Sequence, residues 1–321
     1  MIVFRQKGLL TTVQDLGRSG YQRYGMPVCG AMDRFALELG NILVGNDRGE
    51  AAVEATVLGP SIEFEEPEIF AVTGGDLGPT LNGVPIENHR AYLAQAGDVL
   101  ALPMARRGAR AYIAFAGGLD IQEVMGSRST CLKAGVGGLC GCAILSGDRI
   151  GLRAPCAWLP DLMERAAPPQ ILPAYGDRVT VRFTYGPQDD LFTDAGKRSF
   201  TSGEYVLTDR SDRMGFRLDG PPVALAPGCD GNIISDGVCF GAIQITDGRP
   251  IVMMADRQTT GGYPKIGCVI TADLPLLAQL KAGDGVRFRP GSVAAAQAVL
   301  RRQRRTLDAL ENAFRKETDH D

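Results

Sequence analysis

Histidine is nearly absent from this chain, with two residues in 321, and there is one tryptophan. His89 is the internal histidine, and His320 falls in a polar tail. A Ser–His–Asp triad would have to run through His89 in "ENHRA", and no GxSxG elbow accompanies it, so serine-nucleophile chemistry is set aside. There is no GxxxxGK[ST], which excludes a Walker-type phosphate loop. "GVGGLCG" (135–141) misses GxGxxG because Cys140 takes the third glycine position, and it lacks the strand–turn–helix setting of a dinucleotide fold. The cysteines, at 29, 131, 140, 142, 156, 229, 239 and 268, form no CxxC pair. With so little histidine they do not make a four-ligand zinc site, and they read as buried or inert reduced thiols; no metal is expected. No Met-Lys-Met site occurs, so no covalent biotin is expected on this chain. No apolar run reaches the roughly 18 residues of a membrane span. The start, "MIVFRQKGLL", lacks the apolar core of a signal peptide, and a cytoplasmic protein is expected. A net charge of −3 argues against nucleic acid or an anionic membrane as partner.

Glycine is abundant, at 41 residues, beside 19 prolines. That mixture suits many short strands joined by tight turns, a mainly β chain with a few helices. Candidate strands are 1–4, 61–64, 69–74, 98–102, 111–117, 178–185, 238–245, 250–255, 267–271 and 285–290, each with β-branched or aromatic residues bounded by Gly, Pro or Asp. Met32, Phe35, Ala36, Leu39, Ile42 and Leu43 recur at helical spacing, as do Leu300, Leu307, Leu310 and Phe314 in 292–317. The four arginines of "RRQRR" (301–305) read as a solvated helix face rather than a site for an acidic partner.

Five prolines fall between 154 and 174. They predict a connector at 159–173 between an N-terminal domain, 1–158, and a C-terminal domain, 174–321. The halves are weakly alike: "LAQAGDVLAL" (93–102) returns as "LAQLKAGDGVRF" (277–288), and "LGPSIEF" (58–64) as "FGAIQI" (240–245). Two matches in the same order at nearly one offset favour a duplicated barrel over coincidence.

With common nucleophiles and cofactor motifs removed, acid–base and electrostatic work falls to Lys, Tyr, Arg and Asp. Three glycine-rich turns carry them. The first, 12–33, holds Gln14, Asp15, Arg18, Arg23 and Asp33. The second, 208–222, holds Arg210, Ser211, Asp212, Arg213 and Arg217. The third, "DRQTTGGYPKIG" (256–267), follows the apolar run "PIVMMA" and sets Asp256, Arg257, Gln258, Thr259 and Thr260 against Gly261 and Gly262, with Tyr263 and Lys265 beyond. Glycine lets a backbone approach a ligand closely, and Asp–Arg pairs fix each other's geometry. The same pairs also clamp loops with no ligand at all. The third segment is denser in polar groups than a purely structural loop requires.

The segments "TVQDLGRSGYQRYGMPVCGAMD", "EATVLGPSIEF", "GGLDIQEVMGSRSTCLKAGVGG", "SDRMGFRLDGP" and "SDGVCFGAIQITDGRPIVMMADRQTTGGYPKIG" resemble the family of the 5-oxoprolinase C component, or KipA, also called biotin-dependent carboxyltransferase-like or allophanate hydrolase subunit 2-like. The resemblance covers about residues 1–290, and "ADRQTTGGYPKIG" is its most specific part. It implies two tandem cyclophilin-like β-barrel domains. It further implies two partners, a KipI-type B component and an A component of 5-oxoprolinase, with 5-oxoproline cleaved to glutamate and ATP as co-substrate of the complex. In the related urea carboxylase the similar module moves a carboxyl group from carboxybiotin to urea, so a carboxyltransferase acting on urea or another small amide is an alternative. A regulatory module that antagonises a KipI-type kinase inhibitor is a third reading, disfavoured because sequestration alone does not require the polar stretch 256–265. The family often carries Gly-Arg where this chain has Gly141-Cys142, which places the ligand's identity in question. On the enzyme reading Lys265, Tyr263 and Asp256 are the expected catalytic residues. Arg257, Gln258, Thr259, Gly261, Arg213, Ser211, Asp212, Arg18, Asp15 and Gln14 are expected to bind substrate, in a site between the barrels.

Overall fold

The computed structural model describes residues 1–318, and His320 lies outside them. The chain divides into two compact units. The first comprises Met1–Arg18, Cys29–Tyr175 and the chain from Arg304; the second comprises Ser19–Val28 and Gly176–Gln303.

In the first unit the strands are β1 (Ile2–Gln6), β2 (Leu10–Gln14), β3 (Ala52–Thr56), β4 (Ser61–Phe64), β5 (Glu68–Asp76), β6 (Thr80–Leu81), β7 (Val84–Pro85), β8 (Ala91–Ala94), β9 (Val99–Ala101), β10 (Arg107–Phe115) and β11 (Arg149–Ile150). They form a six-stranded sheet, β11-β1-β4-β9-β6-β7, and a five-stranded sheet, β2-β3-β10-β5-β8. Alternate residues explain the packing: Ile2, Phe4, Ile62 and Phe64 of one sheet share a buried core with Val13, Val53, Phe70, Val72, Ile113 and Phe115 of the other. The opposite face of the five-stranded sheet buries Ala71, Tyr112 and Ala114 against α1 (Arg34–Leu43). The Asp33 carboxylate starts that helix by accepting from Ala36 N–H at 3.0 Å.

The proline-rich stretch is no free connector. Its prolines keep it out of the sheets, yet Leu162 and Ala167 are buried in the first unit's core, and Ala167 N–H donates to His89 O at 2.9 Å. The long helix, Val293–Thr318, likewise gives its Leu307 to that core. There Arg48 meets Asp308 at 2.8 Å and Glu311 at 2.6 Å.

The second unit holds β12 (Arg178–Tyr185), β13 (Tyr205–Leu207), β14 (Gly215–Asp219), β15 (Asp236–Gly237), β16 (Ala242–Thr246), β17 (Arg249–Met253), β18 (Thr260–Gly261), β19 (Lys265–Val269) and β20 (Gly285–Pro290). Seven of them close a barrel in the order β12-β19-β16-β17-β14-β13-β20, and β15 and β18 form a separate two-stranded ribbon. Phe183, Phe200, Tyr205 and Phe288 fill one end, with Phe200 stacked on Phe288 at 4.6 Å between centroids. The architecture is therefore mainly β with few helices, as expected.

The duplicated segments share less than their letters suggest. Gly97-Asp98 and Gly283-Asp284 make the same turn, with Asp98 accepting from Gln95 N–H at 2.7 Å and Asp284 from Lys281 N–H at 2.8 Å. Each turn leads into a strand, but a strand precedes the first and the helix Leu274–Ala278 precedes the second.

Candidate functional site

The expected site residues fall into two groups, one in each unit. In the first unit Gln14, Asp15 and Arg18 are all buried, Arg18 completely. Asp15 accepts from Gly17 N–H at 2.7 Å, Ser127 O–H at 2.7 Å and Arg128 N–H at 2.6 Å, and also from Ser129 O–H. Arg18 donates to Ser129 O at 2.6 Å, and Gln14 to Thr130 O at 3.2 Å. The three therefore pin the loop 127–130. Gly137 (φ 73°) closes over that loop, and a Cβ there would fall onto Ser129 O. These bonds tie the group to the 127–130 loop, the loop-clamp role that Asp and Arg fill around glycines.

In the second unit Arg213 and Asp256 make a bidentate pair at 3.0 and 2.9 Å, with both side chains largely buried. Asp256 N–H also donates to Arg213 O at 2.8 Å, so the two turns are stitched by main chain as well. Asp212 accepts from Met214 N–H at 2.8 Å and Gly215 N–H at 3.1 Å, an Asx turn that starts β14. Ser211 Oγ accepts from Arg217 N–H at 3.0 Å. Arg257 is buried and donates to the carbonyl of Val238 at 3.1 Å and to that of Met254 at 3.3 Å, with its guanidinium over the Phe240 ring.

Arg257 lines an open cavity of about 560 Å³ in the second unit, the size of a small-molecule pocket. Of the expected residues, Arg257, Thr259 and Lys265 line it; Asp256, Gln258, Gly261, Tyr263, Arg213, Ser211 and Asp212 do not. Tyr263 is exposed. Lys265 differs from its expected place. It is not in a loop but opens β19, paired in register with Gln244, and is only 4% exposed. Its Nζ lies 3.5 Å from Asp236 Oδ2. The Gly237 N–H bond and the Lys265 charge hold the Asp236 carboxyl below its usual range. An ammonium carries three donors, so one carboxylate oxygen leaves capacity for a ligand's oxygens. A Cβ at Gly261 would come within 2.6 Å of Gln244 Nε2, so that side chain would have to turn aside.

The residues that sequence reasoning missed are Asp236, Cys239 and Cys268, all on the cavity wall. The cysteines are free thiols, as expected, but most are not buried. Cys29 and Cys131 are, but Cys140, Cys142, Cys156 and Cys239 are exposed. The sulfurs of Cys239 and Cys268 stand 3.4 Å apart. Each is alone in its own segment, so no spacing rule announces the pair. Among the described residues, no group of three or more His, Cys, Asp or Glu side chains is placed to hold a metal ion. None of their helices is long and apolar enough to cross a membrane.

The chain belongs to the carboxyltransferase domain family, subdomains A and B, whose pattern covers residues 24–290. The C component of the Escherichia coli 5-oxoprolinase is 38% identical over 97% of each chain, and that of Haemophilus influenzae is 33% identical over 93% of this chain and 94% of its own. The crystal structure of the Kluyveromyces lactis urea carboxylase matches with a TM-score of 0.91 at 31% identity, covering 98% of this chain but 29% of that one.

Proposed function

We propose that this chain is the C component of an ATP-dependent 5-oxoprolinase, acting with a KipI-type B component and an A component to cleave 5-oxoproline to glutamate. The observation that carries the reading is the match at 38% identity, over 97% of each chain, to a protein named as that component. The second-unit cavity supports it chemically. A lactam that opens by hydrolysis develops negative charge on its carbonyl oxygen, and preorganised donors stabilise that charge. Lys265 supplies such a donor, with Asp236 orienting its ammonium. Arg257 holds the carbonyls of Val238 and Met254 and so fixes the wall around it, and Thr259 offers a hydroxyl on the same wall. Arg213 and Asp256 act as positioning residues, fixing the turn that carries Arg257. No phosphate loop occurs in the sequence, and ATP enters this reading as a co-substrate of the complex.

One observation favours a second reading. The backbone follows that of a urea carboxylase over 98% of this chain. A carboxyl transfer from carboxybiotin to a small amide needs the same oxyanion donor, with biotin carried by another chain. Reconstitution separates the two. Glutamate released from 5-oxoproline and ATP only when all three components are present supports the first reading. Carboxylation of an amide by a biotinylated carrier with no such release supports the second.

A further inference from the structure

The cavity wall holds a pair of thiols that the proposed reaction does not use. Cys268 sits in β19 opposite Ala242 of β16. Cys239 lies in the turn before β16, which Ala242 N–H closes onto Cys239 O at 3.2 Å. Both backbones are thus anchored to the barrel, and the two sulfurs stand 3.4 Å apart. A disulfide requires about 2.05 Å, so about 1.4 Å of approach is needed, within the reach of side-chain rotation. We propose that Cys239 is a hydroperoxide-reactive thiol and Cys268 its resolving partner, so that oxidation joins them in a reversible disulfide on the cavity wall.

The surroundings agree with those roles. Cys239 is exposed and lines the cavity together with Arg257, Lys265 and Asp236. A hydrogen bond from Cys268, and then the charges of Arg257 and Lys265, lower the Cys239 thiol to about 6 against the opposing effect of burial. The same bond and burial push Cys268 upward, so it keeps its proton. The thiolate, not the thiol, is the nucleophile. Cys239 sulfur attacks the peroxide, an S–O bond forms, the O–O bond breaks, and the alcohol or water leaves with a proton from solvent. Once Cys239 is a neutral sulfenic acid, the thiolate that held the Cys268 proton is gone. Cys268 sulfur then attacks the sulfenic sulfur as its proton passes to the departing oxygen. The S–S bond forms, the S–O bond breaks, and the departing hydroxide takes the Cys268 proton as water. The peroxide is reduced by two electrons and the dithiol oxidised by two. This chemistry stands independently of the assignment to a 5-oxoprolinase.

The test is peptide mapping of the intact chain after brief exposure to hydrogen peroxide and alkylation of the remaining thiols. The expected result is a Cys239–Cys268 cross-linked peptide that disappears with dithiothreitol. Cys268→Ser should give instead a dimedone-trapped sulfenic acid at Cys239. Cys239→Ser should leave Cys268 reduced and slow peroxide consumption by at least about tenfold, the loss of a thiolate to a neutral thiol. Thermal melts confirm folding of each variant, and the alanine substitutions replace any serine variant that fails. Cys239 remaining fully alkylatable while the exposed Cys140 or Cys142 oxidises would overturn the proposal.

Discussion

Arg213 and Asp256 face each other through two parallel hydrogen bonds, Nε to Oδ2 at 3.0 Å and Nη2 to Oδ1 at 2.9 Å. The arginine is 5% exposed. Asp256→Asn removes the countercharge and leaves that guanidinium buried. Breaking one partner of a buried pair costs about 3–5 kcal/mol. Because Asp256 keeps some solvent contact, a loss at or just below the lower end of that range, about 2–3 kcal/mol, is expected, which is roughly 5–10 °C in Tm. Thermal denaturation measures it. An unchanged Tm would mean that the pair contributes nothing to the second unit.

Glu68 and His89 predict opposing pH effects in the first unit. Burial pushes Glu68 up to about 7 from 4.5 and His89 down to about 4 from 6.5. The folded state holds the Glu68 proton more tightly than the unfolded chain, so its contribution is complete below pH 4.5 and is lost as pH rises through 7. His89 resists protonation when folded, so its contribution is complete above pH 6.5 and is lost as pH falls through 4. Between about 4.5 and 6.5 the two slopes oppose. Glu68→Gln should make Tm rise with pH across that window, and His89→Asn should make it fall. Asparagine tolerates the positive φ of 66° at position 89. Parental slopes in both variants would contradict these assignments.

Gly137→Ala tests the clamp at Asp15 and Arg18. The position has φ 73°, and the added Cβ meets Ser129 O and the Arg18 guanidinium. Strain of about 1–2 kcal/mol for the left-handed residue adds to about 1–3 kcal/mol for overpacking. Hydrogen exchange should show the 124–138 loop losing protection before the strands. Wild-type protection there would contradict the clamp.

Much of this architecture was legible from residue pattern. Strands 61–64, 178–185 and 285–290 fall where alternation and flanking turn residues place them. The run 238–245 does not, because its first four residues turn and only Ala242–Thr246 joins the barrel. β3 escaped detection because buried Glu54 interrupts its apolar run, a charge tolerated because Tyr112 O–H and Met32 N–H donate to it. At the candidate site, the density of polar groups in 256–267 pointed to a segment that lends Arg257, Thr259 and Lys265 to the cavity wall. It did not show which of them turn inward. That depends on register: Lys265 pairs with Gln244 and lines the cavity, while Tyr263, two residues earlier, is exposed. Asp236, Cys239 and Cys268 join Lys265 only through strand pairing that no local motif records.

Lys265 carries the central claim, and Lys265→Met is its sharpest probe. Methionine keeps most of the length and removes the ammonium, so the three-component assembly should form normally by size-exclusion chromatography. ATP-dependent glutamate release from 5-oxoproline should fall at least about 100-fold, the effect of removing a preorganised oxyanion donor. An assembled Lys265→Met complex that releases glutamate at the wild-type rate would contradict the account.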